Sequence, residues 1–206
     1  MKKVAIFIGF LLFVIPTSWA QEKIQAPVWK AGEKWTFRYD TGGDWSIEII
    51  GEEKGLYVDA TTRIKGRMPG TYTRYYDKNS LNCVSIIKDG KENVYERDSL
   101  NKYFDFPLYV GKTWSYSYEM ISPSNQTFRV VSELSAVQYE EIEVPAGKFK
   151  TIKVKNKLFI TGGTSSGILN YWWSPDAKTV VRVEYEPSKI WNPEYSKFEL
   201  ISFYLK

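Results

Sequence analysis

The chain has 206 residues, 43% hydrophobic and 17% aromatic, with one cysteine, no histidine and a formal net charge of +4. A charged fraction of 25% describes a globular chain and excludes both a polytopic membrane protein and a disordered one. Without histidine a Ser-His-Asp triad, a Cys-His dyad and a histidine zinc site are excluded, and neither a cofactor nor a metal is expected.

Residues 1–20 read as a cleaved signal peptide. Lys2 and Lys3 form a positive start, Val4 to Ile15 is an apolar run, and Ser18-Trp19-Ala20 is a small-x-small cleavage site. The run is shorter than the roughly 20 residues that span a bilayer, no later stretch could span, and Cys83 lies too far along to be a lipidated cysteine. The mature protein, residues 21–206, is therefore expected to be exported, periplasmic or secreted, with no transmembrane anchor. Losing Lys2 and Lys3 lowers the net charge from +4 to +2. The remaining charges are interspersed, so no nucleic-acid partner is expected. One cysteine makes no internal disulfide, and Cys83 is expected to pack as a small apolar residue.

Along the mature chain, period-two alternation recurs and helical periodicity is nearly absent. Trp35, Phe37 and Tyr39 oppose Thr36, Arg38 and Asp40. The pattern returns in Trp114, Tyr116 and Tyr118, in Ile152, Val154, Asn156, Leu158 and Ile160, and in Val181, Val183 and Tyr185. Turn signals separate these runs at Gly42-Gly43-Asp44, Gly51 to Gly55, Asp89-Gly90, Pro123 to Asn125, Pro145-Ala146-Gly147 and Ser174 to Lys178. In the pair Trp172-Trp173 one indole is expected in the core and the other at a hydrophobic edge or open cleft. The last run, Lys197 to Leu205, is apolar on both parities and is expected to be covered on both faces, as a strand that closes the sheet.

An internal repeat organises these strands. Gly32-Glu-Lys-Trp35-Thr-Phe-Arg-Tyr39-Asp40 aligns with Gly111-Lys-Thr-Trp114-Ser-Tyr-Ser-Tyr118-Glu119 at an offset of 79 residues. Tyr75-Tyr76-Asp77-Lys78 and the strand Leu81 to Ile87 align with Trp172-Trp173-Ser174-Pro175 and Thr179 to Tyr185 at an offset of 97. The expected fold is all-β: an antiparallel, aromatic-rich curved sheet or partly open barrel, with little helix, built from two related β units. The halves are 21–95 and 108–206, joined by 96–107 in a single domain.

Phe106-Pro107-Leu108, Gly111-Lys112-Thr113-Trp114, Val144-Pro145-Ala146-Gly147-Lys148-Phe149 with Lys153-Val154, Trp172-Trp173-Ser174-Pro175 and Val180-Val181-Arg182 resemble the signature of a family of exported bacterial β-sheet proteins whose domain has no assigned function. The resemblance covers roughly residues 100 to 205. It implies an exported antiparallel β domain without known catalytic residues. A fainter likeness of architecture, to the periplasmic lipoprotein carriers that shelter acyl chains, is an analogy of fold only.

Other motifs carry less. Gly163-Thr-Ser-Ser-Gly167 fits a nucleophile elbow, but joins two strands in a chain without histidine. Ser99-Leu-Asn-Lys102 fits S-x-x-K without its partner motifs. Gly162 to Gly167 lacks the lysine and helix of a phosphate loop. Glu140, Glu141 and Glu143 could supply paired carboxylates for glycan chemistry, although a solvated strand edge explains them as well.

Aromatic content is the remaining oddity. Of 11 Phe, 8 Trp and 15 Tyr, the leader takes only Phe7, Phe10, Phe13 and Trp19. Cross-strand packing is one explanation of this excess. The other is an aromatic-lined cleft for an apolar or amphipathic ligand, or a sugar-stacking face, with Trp35, Tyr39, Trp114, Tyr118, Trp172 and Trp191 as candidate walls. Three functions follow: a non-catalytic envelope protein that shelters a lipid or other apolar small molecule, an interaction protein that docks an envelope protein by a sheet edge or aromatic patch, and a carboxylate-based glycan enzyme. The protein exported from a bacterial host is expected to begin at Gln21 when its intact mass is measured; a mass that retains residues 1–20 would overturn the leader reading.

Overall fold

The computed structural model describes residues 23–64, 69–94, 103–121, 127–161, 166–186 and 197–206. The signal segment, the Pro123 to Asn125 turn, the Ser99 to Lys102 motif, most of the Gly163 to Gly167 run and Trp191 lie outside them. Twelve strands form one antiparallel sheet: β1 (Lys34–Tyr39), β2 (Asp44–Glu53), β3 (Leu56–Arg63), β4 (Gly70–Asp77), β5 (Cys83–Lys88), β6 (Lys91–Val94), β7 (Thr113–Ile121), β8 (Thr127–Val144), β9 (Gly147–Ile160), β10 (Ser166–Ser174), β11 (Thr179–Glu186) and β12 (Lys197–Tyr204). Their spatial order is β6-β5-β4-β3-β2-β1-β12-β11-β10-β9-β8-β7. Two six-stranded meanders therefore lie side by side, joined by the β1–β12 pairing. The all-β, curved sheet expected from the alternation forms, and it stays open rather than closing into a barrel. Among the described residues there is no helix.

The turns follow their residues. Lys54-Gly55, with φ of 50° and 77°, and Asp89-Gly90, with φ of 52° and 72°, are two-residue hairpin loops with both central residues left-handed, matching the right-handed twist of the flanking strands. Pro145-Ala146 is the loop between Val144 and Gly147, which oppose each other in register.

The two meanders share their registers position by position. In the first, Trp35 opposes Ile47, Ile47 opposes Thr61, and Thr61 opposes Tyr72. In the second, Trp114 opposes Leu134, Leu134 opposes Asn156, and Asn156 opposes Leu169. Each meander opens on a left-handed glycine, Gly32 at φ 88° and Gly111 at φ 92°, whose N–H donates to the second strand, to Ile49 O and Ala136 O. A side chain at either position would be strained. Just beyond, each second strand has a bulge that turns out one apolar side chain, Ile50 or Val137. A further bulge falls in each fifth strand, at Val84 of β5 opposite Tyr75-Tyr76 and at Val181 of β11 opposite Trp172-Trp173. The turns that follow hold Leu81 and Lys178, both at φ 54°.

The core forms two clusters. One joins Tyr116, Leu134, Ala136, Ile152, Val154, Tyr171, Trp173 and Val183 to Ile24, Phe104 and Leu108 from the segments preceding β1 and β7. The other joins Trp35, Phe37, Trp45 and Ile49 to Trp172, Ala177, Val181, Leu200, Val144 and Phe149. The face of Trp35, Phe37 and Trp45 continues through Tyr39, Phe198 and Val183 to Tyr171, and is termed the inner face. On the other face Arg182, Glu184, Lys197 and Glu199 form a network of ion pairs.

Two expectations are corrected. Trp172 and Trp173 do face opposite ways, but neither caps an open edge: both are buried, in different clusters. The cause is the length of β8 and β9, whose far ends run past β10 to β12, where Ala146 N–H donates to Leu200 O. This arm supplies Val144 and Phe149, and the Glu140 carboxylate accepts the Trp172 indole N–H at 2.7 Å. Likewise β12 joins the two meanders instead of closing the sheet. It is covered by hydrogen bonding on both edges rather than by packing on both faces, since Leu200 is its one buried residue and Phe203 and Tyr204 are exposed.

The first meander replaces part of the apolar core with charge. Asp59 opposes Arg74 in the register where Val154 opposes Tyr171. The Asp59 side chain is fully buried, and its carboxylate accepts from Arg74 at 2.6 Å and from the Tyr76 hydroxyl at 3.0 Å. Removing one partner of a buried pair leaves an uncompensated charge. In urea unfolding, D59V is expected to cost about 3–5 kcal/mol. The double variant D59V/R74Y, which copies the second meander, is expected to regain part of that loss, whereas simply additive losses would refute the coupling.

Candidate functional site

The six sequence candidates do not converge on one wall. Trp35 is 1% exposed, with its indole N–H donated to Ala177 O at 2.7 Å, so it anchors the turn after β10. Trp172 is held by Glu140 and flanked by Lys153 and Arg182 at 4.8 and 5.3 Å from its ring. Trp114 and Tyr118 are half-buried against the second-meander core, with Tyr118 stacked on Tyr116 at 6.1 Å. Tyr39 is half-buried on the inner face of the first meander. Trp191 lies outside the described residues.

Tyr39 does belong to an aromatic group. Phe37 and Tyr39 on β1 alternate onto the inner face opposite Trp45 on β2, and Phe198 enters from β12 opposite Tyr39. Phe37 stacks on Trp45 with centroids 4.4 Å apart, and Phe198 meets Trp45, Phe37 and Tyr39 edge-on at 5.4, 5.6 and 6.0 Å.

The next residues outward on that face carry charge. Arg63 opposes Trp45 across β2 and β3, with its guanidinium 5.1 Å from the Trp45 ring and 5.9 Å from the Tyr72 ring. Lys88 opposes Tyr72 across β4 and β5, its ammonium 5.5 Å from the same ring and donating to Pro69 O at 3.3 Å. Trp45 and Tyr72 are 7% and 3% exposed. Trp45 Nε1, Arg63 Nε and the Tyr72 hydroxyl are all buried, and none has a hydrogen-bond partner among the described residues. Buried polar atoms are nearly always partnered by protein, water or ligand. The sequence reading missed Trp45, Arg63, Tyr72 and Lys88. No sequence signal marks Arg63, because its equivalence with Leu158 emerges only from the strand registers.

The second meander differs at the same level. Burial pushes the Tyr116 hydroxyl up to about 12, eased by the neighbouring Ser132 and Asn156, and raises Tyr171. Ser132 and Asn156 lie beside these phenols without reaching hydrogen-bond geometry. This neutral cluster is covered by Tyr103 and Phe104, whose rings lie 6.1 Å from Tyr171.

The remaining candidate groups stand apart from either cluster. Glu141 and Glu143 are exposed, with Glu143 3.9 Å from Lys148, while Glu140 is engaged by Trp172. No group of three or more His, Cys, Asp or Glu side chains suited to a metal occurs among the described residues. Nor does any helix among them have the length and apolarity to cross a membrane. Cys83 is half-buried beside the Asp59–Arg74 pair rather than packed as an apolar residue, and its thiol donates to Ser85 O.

No protein-family model matches the chain, and no curated protein matches it. Among solved structures it is similar to a Bacteroides fragilis protein whose name gives it as exported with a YmcC-like fold, at 15% identity and a TM-score of 0.49, over 88% of this chain and 99% of that one. A Parabacteroides distasonis protein named as a lipoprotein matches at 16% identity and 0.49, over 89% and 100%. The hypothetical lipoprotein YmcC of Escherichia coli matches at 9% and 0.47, over 87% and 90%. Similarity of this degree identifies neither a ligand nor an activity.

Burial pushes the Cys83 thiol up to about 11, with Asp59 adding to the shift and Arg74 opposing it. Because the thiolate is the reactive form, Cys83 is expected to be protonated near neutral pH. Its reaction with a disulfide reagent at about pH 8 is expected to run on the order of a hundred times more slowly in the folded protein than in the urea-unfolded chain. Equal rates would contradict this.

Proposed function

We propose that the protein is an exported, non-catalytic envelope protein that shelters an apolar or amphipathic ligand against the inner face of its first meander. Tyr39 and Phe198, half-buried over the buried rings of Phe37 and Trp45, supply the apolar surface. The observation that carries the reading is the trio of buried polar atoms beside those rings, Trp45 Nε1, Arg63 Nε and the Tyr72 hydroxyl, without a partner among the described residues. A site lined by aromatics with a few convergent polar groups is the usual form of a small-molecule site, and polar atoms left unsatisfied there await a ligand or water. The leader supports export. In this reading Trp35 and Trp172 are structural, while Tyr39 is the one sequence candidate that touches the ligand.

The test uses the mature protein, residues 21–206, prepared without detergent, and the uncharged fluorescent probe N-phenyl-1-naphthylamine. Saturable binding, with enhanced probe fluorescence that is lost in Y39A, is expected. A folded protein that gives no enhancement would overturn the proposal.

A further inference from the structure

We propose that Trp45, Arg63, Tyr72 and Lys88 hold the anionic headgroup, a carboxylate or phosphate, of a single-chain amphiphile whose tail lies along Tyr39 and Phe198. The inference rests on the sheltering role proposed above and adds the chemistry of the ligand.

Four observations carry it. First, the three unpartnered buried atoms are an indole N–H, a guanidinium N–H and a phenol hydroxyl, so all can donate and the matching group must accept. Second, two positive charges, Arg63 and Lys88, flank the Tyr72 ring at 5.9 and 5.5 Å, and the described residues give Arg63 no hydrogen bond or ion pair of its own. Third, the carboxylates near enough in register are committed elsewhere. Asp59, further along β3 on the same face, is held by Arg74, Tyr76 and Thr61, and Asp44, next to Trp45, is held by Arg38 at 2.7 and 2.9 Å.

The fourth observation is the internal control. In the second meander the register positions of Trp45, Arg63, Tyr72 and Lys88 are taken by Ser132, Leu158, Leu169 and Tyr185. The same strands, bulges and turns form there without a cation, so the fold does not require Arg63 or Lys88. A guanidinium with a buried N–H and no counter-charge is unfavourable in isolation. It becomes favourable when a carboxylate or phosphate accepts from it, because charge-assisted bonds to such groups are short and strong. The same two charges repel a cationic headgroup and give an uncharged one little.

The experiment compares dodecanoate, dodecyl phosphate and dodecan-1-ol, which share a tail, as competitors that displace N-phenyl-1-naphthylamine from the mature protein below their micellar concentrations. At least one anion is expected to bind about tenfold or more tightly than the alcohol, and the choice between carboxylate and phosphate falls to whichever is tighter. The double variant R63Q/K88Q, with its fold checked by circular dichroism, is expected to lose that preference. Equal displacement by all three compounds would overturn the headgroup assignment and leave the sheltering role standing. A folded protein that binds neither the probe nor any of the three would remove both.

Discussion

The molecule depends on one seam. Among the described residues its two meanders are joined within the sheet only where β1 pairs with β12, from Lys34 opposite Tyr204 to Tyr39 opposite Phe198. A six-residue strand pair is a weak joint for two large halves, and an isolated hairpin of that length would be marginal in water. What fixes it is exchange across the seam. The turn after β10, in the second meander, puts Ala177 O and Lys178 O on the indole N–H groups of Trp35 and Trp29, and the Lys178 ammonium meets the buried Glu33 carboxylate at 2.5 Å. In return Leu81, from the turn after β4 in the first meander, packs on the second-meander core. Each half thus completes the other's core, so neither is expected to be stable alone.

This joint also explains why the aromatic residues divide as they do. Trp35 and Trp172 lie where the halves and the β8–β9 arm meet, and there a large rigid ring with one N–H donor secures both packing and a single hydrogen bond. Tyr39, Trp45 and Phe198 lie at the far end of the same strands, beyond the reach of the β10 turn. Their rings pack on one another and then meet charge rather than further hydrophobic cover. The seam therefore sets a boundary on the inner face, between rings bonded to the β10 turn and rings that pack beside Arg63.

Much of this was legible in the sequence. Alternation identifies strands because side chains in a sheet have a period of two, and it placed Trp35, Phe37 and Tyr39 on one face correctly. The repeat picked out the first, fourth and fifth strands of each meander, since those carry the glycine, aromatic and turn residues that tight geometry demands. The second and third strands were invisible as repeats for a physical reason. Their equivalent positions differ in chemistry, Asp59 against Val154 and Arg63 against Leu158, and bulges and unequal hairpins shift the spacing. For the same reason the site was only partly legible: its polar members are the residues that depart from the pattern used to find strands. The burial of Trp172 was hidden because it depends on the β8–β9 arm reaching β12, a contact between distant parts of the chain that local alternation does not encode.

The contrast between the halves bears on how their differences arose energetically. Replacing apolar core by the Asp59–Arg74 pair brings a desolvation cost that good geometry offsets, and such a pair adds little net stability. That substitution is internally complete, since Arg74, Tyr76 and Thr61 together satisfy the carboxylate. Arg63 and Lys88 are different, because no carboxylate among the described residues pairs with either, and Lys88 donates only to Pro69 O. A sequence consistent at every level, from turn chemistry to core packing, departs from consistency mainly where function requires it. In this chain the turns, bulges, registers and the buried ion pair all agree with the fold. Unpartnered buried polar atoms occur in both meanders, but those of the second include an acceptor, the Asn156 carbonyl, beside its amide, the Ser132 hydroxyl and the Trp173 indole, whereas Trp45, Arg63 and Tyr72 can all donate. Local packing error would scatter donors and acceptors alike, whereas a group of donors beside two cations describes the complement of an anion.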